Sequence, residues 1–167
     1  MLLNVQENNF IYRNPSFNYQ VSYPKGWKMA ELKDGEDLVT NAWFDSESVM
    51  SADDFGKVDD APGSIWIYAD QGTESIVGIE NFKTELIGSE HEVSAKVFES
   101  NCEKNCPNPA WENRTDIRYY IDLPEKNRKG KYTSLVIEMN YKNGQLNEKL
   151  DATLNSFLDS FKFNESL

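Results

Sequence analysis

Phe17-Asn-Tyr-Gln-Val-Ser-Tyr-Pro-Lys-Gly-Trp27 is the stretch on which the fold turns. Phe17, Tyr19, Val21 and Tyr23 fall on one face of an extended chain, and Ser16, Asn18, Gln20 and Ser22 fall on the other. Such alternation is the mark of a half-buried strand. Pro24 removes a ladder donor and Gly26 tolerates a positive φ, which predicts a turn before Trp27, Met29 and Glu31 resume the two-residue period. Trp27 is then expected as a core anchor.

Working outward, residues 9–13, 27–31 and 38–44 complete an N-terminal meander with this strand. Residues 45–63 are polar and rich in Ser, Asp and Gly, as expected of a long surface loop. In 64–70, Ile65, Ile67 and Ala69 alternate with Trp66 and Tyr68, so both faces are apolar and the strand should be central, with Trp66 in the core. Thr73 is a candidate N-cap, and Ile76, Ile79, Phe82, Leu86 and Ile87 give an imperfect helical period that Gly88 would end. Three further strands are expected at 93–98, 116–121 and 132–141, the last with Leu135, Ile137, Met139 and Tyr141 on one face. The chain closes on its clearest helix, where Leu146, Leu150, Leu154, Phe157, Leu158 and Phe161 form one apolar face. The fold class is α+β, in a single domain over residues 1–167.

The chain has 28 acidic and 17 basic side chains and a formal charge of -11. That field repels phosphate backbones and anionic lipid, which argues against nucleic acid as a partner. No apolar run has the length of a membrane span. At 167 residues a domain buries roughly 70% of its unfolded surface and needs no disulfide framework.

The two ends of the chain together resemble the PsbP-like superfamily, named for an extrinsic subunit of photosystem II and including a Ran-binding nuclear-transport factor. Residues 17–27 are similar to that family's opening strand, Tyr-Pro-x-x-Trp turn and following strand. Leu154-Asn-Ser-Phe-Leu-Asp-Ser-Phe-Lys-Phe163 is similar to its closing helix, ending in Ser-Phe-x-Phe. The resemblance implies an antiparallel sheet flanked by helices in an α/β/α sandwich. It further implies a small accessory or partner-binding protein, commonly exported or lipid-anchored in microbes, and it carries no catalytic residue across.

Cys102 and Cys106 are the only cysteines, four residues apart before a Pro-Asn-Pro segment. They can bridge locally, and an even cysteine count suits an oxidising compartment; reduced thiols are the alternative. The spacing is not that of a redox or zinc motif. Asp53, Asp54, Asp59 and Asp60 could offer oxygen ligands to calcium or another divalent cation, though their spacing matches no EF-hand and a solvated acidic loop is the simpler reading. Trp111, beside Pro-Asn-Pro, is the candidate partner-binding residue, with packing under its own loop as the alternative. His91 is the single histidine and lies in no nucleophile context.

The sequence therefore leads to a non-enzymatic, extracytoplasmic accessory or partner-binding domain, monomeric, without a resident cofactor and touching a membrane only through an anchor. Its partner would be a protein or small ligand met at loops 45–63 and 99–115. A divalent-metal-binding protein using residues 45–60 and a cytoplasmic partner-binding adaptor are the alternatives.

Overall fold

A computed structural model describes residues 9–36, 38–45, 63–72, 82–106, 112–144, 146 and 148–165. Among the described residues there are ten strands and one α-helix: β1 (Asn9–Arg13), β2 (Tyr19–Pro24), β3 (Lys28–Asp34), β4 (Val39–Asp45), β5 (Gly63–Asp70), β6 (Lys83–Ile87), β7 (Val93–Cys102), β8 (Arg114–Asp122), β9 (Ser134–Lys142), α1 (Glu148–Ser160) and β10 (Lys162–Phe163). Seven strands make one antiparallel sheet in the order β3-β4-β5-β9-β8-β7-β6, and β1-β2-β10 make a second. The architecture is α+β and dominated by antiparallel sheet.

The opening stretch behaves largely as its alternation dictates. Phe17, Tyr19 and Val21 are buried, while Tyr23 and Trp27 are half-buried against the same core. The turn closes through the Trp27 N–H donating to the Pro24 carbonyl at 3.0 Å. Gly26 lies in that turn without occupying the left-handed region. The two similar segments meet in space: β10 pairs with β2 at Lys162↔Gln20 and Phe163↔Tyr19, and Tyr19 stacks on Phe161 at 5.5 Å.

One face of the seven-stranded sheet supplies Ala42, Phe44, Ile65, Ile67, Ala95, Val97, Tyr119, Ile121, Leu135, Ile137 and Met139 to the core. α1 lays Leu150, Leu154, Phe157 and Leu158 onto it, and the small sheet adds Tyr12, Tyr19 and Val21, with Phe17 from the turn between β1 and β2. Phe44 sits at the junction, 5.0 Å from Phe157 and 5.7 Å from Tyr12. The Gly88 N–H donates to the Leu158 carbonyl at 3.1 Å, tying the last turn of α1 to the end of β6.

Two expectations are corrected. The described part of the helix expected from Thr73 onward is the edge strand β6, paired with β7 from Lys83↔Val97 to Ile87↔Val93. Phe82, Leu86 and Ile87 do fit a helical spacing, yet Ile87 alone is buried, and the ladder offered by β7 outweighs a weak period. Gly88, at φ +93°, ends a strand, and a Cβ there would lie 2.9 Å from the Phe161 carbonyl. Residues 73–81 lie outside the described residues. Trp66 does not enter the main core: it is half-buried on the opposite sheet face, because side chains alternate and Ile65 and Ile67 take the core side.

Candidate functional site

The second face of the large sheet carries polar and aromatic side chains in cross-strand rows. Trp43, Trp66, Glu138, Arg118 and Phe98 form one row across β4, β5, β9, β8 and β7. The next row holds Asp45, Ser64, Asn140, Asp116 and Ser100, and the one before it holds Tyr68, Val136, Tyr120 and Lys96. Trp66 lies 5.1 Å from Trp43 and 4.3 Å from Tyr68, ring centre to ring centre.

At the middle of these rows two carboxylates share one guanidinium. Arg118 Nε donates to Asp116 Oδ2 at 2.9 Å and stands 3.6 Å from Glu138 Oε2. The side chains of Asp116 and Glu138 are each 17% exposed. Burial, reinforced by the charge of Asp116 and only partly opposed by Arg118, raises Glu138 to about 7. Asp116 stands beside it, and its Oδ1 is buried with no hydrogen-bond partner among the described residues. Arg114, one row further, donates from Nε to Asn140 Oδ1. The cluster holds a proton near neutral pH and presents partly screened negative charge beside aromatic rings.

These rows lead to the end of the sheet where β7 passes into β8. The ladder runs to Cys102↔Arg114, well beyond the residue-98 limit expected for β7. Cys102 and Cys106 are disulfide-bonded, with Cα atoms 5.9 Å apart. Beside them Asn143 Nδ2 donates to Asn101 Oδ1 at 3.0 Å, the Thr115 hydroxyl donates to Asn143 Oδ1 at 2.7 Å, and the Asn143 N–H donates to the Asn113 carbonyl at 2.8 Å. Glu99, Glu103, Lys104, Asn105 and Glu112 around this platform are exposed.

Of the residues singled out in the sequence, the structure joins Cys102 to Cys106. Trp111 and the four aspartates Asp53, Asp54, Asp59 and Asp60 lie outside the described residues. His91 is exposed in the turn after Gly88, at φ +50°, its N–H donating to the Gly88 carbonyl. Among the described residues no group of three or more His, Cys, Asp or Glu side chains is placed to hold a metal ion. The Asp116–Arg118–Glu138 cluster went unread. Its only sequence signal is the charged side of the alternation Asp116-Ile-Arg118, and the partner strand is set by register. Comparison with family models, curated proteins and solved structures finds no match to the chain.

Proposed function

We propose that the protein is a non-enzymatic, extracytoplasmic accessory domain related to PsbP-like proteins, which binds a protein partner at the disulfide-closed end of the large sheet. The observation that carries this reading is the Cys102–Cys106 bridge at the tip of β7. A ring of so few residues adds little to stability, since the entropic benefit of a cross-link grows with loop length. Its effect falls on the loop itself, which is held in one shape before any partner arrives, and preorganisation of that kind favours binding. The Asn101–Asn143–Thr115 bonds brace the same loop. An oxidised pair suits an exported protein. Pairing of β10 with β2 supports the relation to PsbP-like proteins, because it brings the two similar segments together.

The partner presents a basic surface. Glu99, Glu103 and Glu112 are exposed around the loop against one lysine, Lys104, and the whole chain carries -11. A photo-crosslinking residue placed at Glu103 in the native cell should trap a discrete partner that the same residue at Lys149, on the helix, does not. Double replacement of Cys102 and Cys106 by Ser should lower the yield at Glu103. Equal adducts from both positions, or none from either, would refute the site. Turnover of a hydrolase substrate by the purified protein would refute the non-enzymatic reading, and free thiols in freshly isolated native protein would favour the cytoplasmic alternative.

A further inference from the structure

We infer that two copies of this chain associate through β6, edge to edge, in an antiparallel pairing that places Thr84 opposite the partner's Thr84. Among the described residues β6 is the last strand of the large sheet and is paired on one side only, to β7. An edge strand of this kind is a template for another strand unless charge, proline, a bulge or a covering element blunts it. The opposite edge, β3, carries Lys28 and Lys33, and its Glu31 accepts a hydrogen bond from the Tyr12 hydroxyl of β1. β6 carries one charge of each sign, Lys83 and Glu85, and among the described residues no element covers it: Lys83, Thr84, Glu85 and Leu86 are all exposed, Leu86 at 57%, and the preceding Phe82 is 47% exposed.

The sequence of the edge is self-complementary. Thr84 faces Lys96 across the ladder and Lys96 Nζ lies 5.4 Å over the Phe82 ring, so Phe82, Thr84 and Leu86 share one face while Lys83 and Glu85 share the other. Two copies related by a two-fold axis through a continuous sheet pair residues of like face, and such an interface is isologous. With Thr84 on the axis, each Lys83 meets the partner's Glu85 and each Phe82 meets the partner's Leu86. Both kinds of pair occur twice by symmetry, and opposite charges and apolar pairs directly across strands are favourable. A slip of the axis to Glu85 sets carboxylate against carboxylate, and a slip to Lys83 sets ammonium against ammonium. The Thr84 register sets Lys83 and Glu85 against opposite charges and Phe82 and Leu86 against apolar partners.

The contact is short beside a standard interface of roughly 1,600 Å², so association is weak, with dissociation in the micromolar to millimolar range. It departs from the monomer that the sequence led one to expect. It is independent of the partner-binding reading, because β6 and the Cys102–Cys106 turn share no residue.

Sedimentation velocity on the oxidised full chain tests it, over micromolar to millimolar protein. The sedimenting mass should rise toward twice that of the monomer. Glu85→Lys, which sets lysine against Lys83, should weaken the dimer about tenfold. Adding Lys83→Glu restores opposite charges and should return the dimer to within a few-fold of its original strength. Leu86→Lys should abolish it, and far-UV circular dichroism of each variant checks that the fold is kept. A chain that stays monomeric throughout, a dimer indifferent to Glu85→Lys, or a charge swap that fails to restore association would each overturn the inference.

Discussion

Glu138 is held away from the charged state a carboxyl group prefers in water, first by burial and then by the charge of Asp116. Folded, it keeps its proton to about 7, whereas unfolded it loses it near 4.5, its ordinary value. Between those limits unfolding releases a proton, so stability falls as pH rises through the window, is greatest below it and levels off above. Denaturant unfolding from pH 4.5 to 8 should show a loss of order 1–3 kcal/mol. Glu138→Gln, which does not titrate, should remove that slope; an unchanged slope would mean that another group titrates. Asn14 is a second demanding residue. Its Nδ2 donates to the Tyr12 and Tyr19 hydroxyls and to the Thr40 carbonyl, and its Oδ1 accepts from the Ser16 and Phe17 N–H groups. Asn14→Ala strands several buried polar groups at once and should cost about 3 kcal/mol, read from the shift in the urea midpoint.

At the scale of elements, the β7–β8 hairpin is held by a ladder from Lys96↔Tyr120 to Cys102↔Arg114 and needs no covalent help. Replacing Cys102 and Cys106 together by Ser should therefore cost about 2 kcal/mol at most. The circular dichroism spectrum should be unchanged. A larger loss in guanidinium unfolding would make the bridge a structural necessity and remove the argument for preorganisation. α1 stands differently, since its tie to the sheet is side-chain packing at Phe157 and Leu154 together with backbone bonds at its last turn. Ser160 links that turn to β2, donating to the Phe157 carbonyl and accepting from the Ser22 N–H.

Over the whole molecule the charge of -11 makes the compact state repel itself. Added salt shortens the screening length from about 30 Å at 0.01 M to about 10 Å at 0.1 M. The melting temperature should rise by a few degrees over that range, followed by circular dichroism, with sodium and potassium chloride equivalent. No change would indicate that pairs such as Arg118 with Asp116 and Glu138 already balance the field locally.

The alternation of 17–23, the apolar stripe of Leu150, Leu154, Phe157 and Leu158, and the separation of Leu135, Ile137 and Met139 from their polar neighbours were legible in the sequence. Each is a periodicity that one segment contains by itself. The proximity of Cys102 and Cys106 was legible for the same reason, being a local distance. Sequence spacing could not show which strands lie side by side. That register moved Trp66 to the second face and turned the helical spacing of Phe82, Leu86 and Ile87 into an edge strand. Register also brought Glu138 of β9 against Asp116 and Arg118 of β8, because cross-strand neighbours are chosen by ladder hydrogen bonds between segments distant in the chain. The sequence by itself determined which side of each strand is apolar, and tertiary pairing alone decided which charges share a row, since a carboxylate's pKa depends on neighbours that no local pattern names.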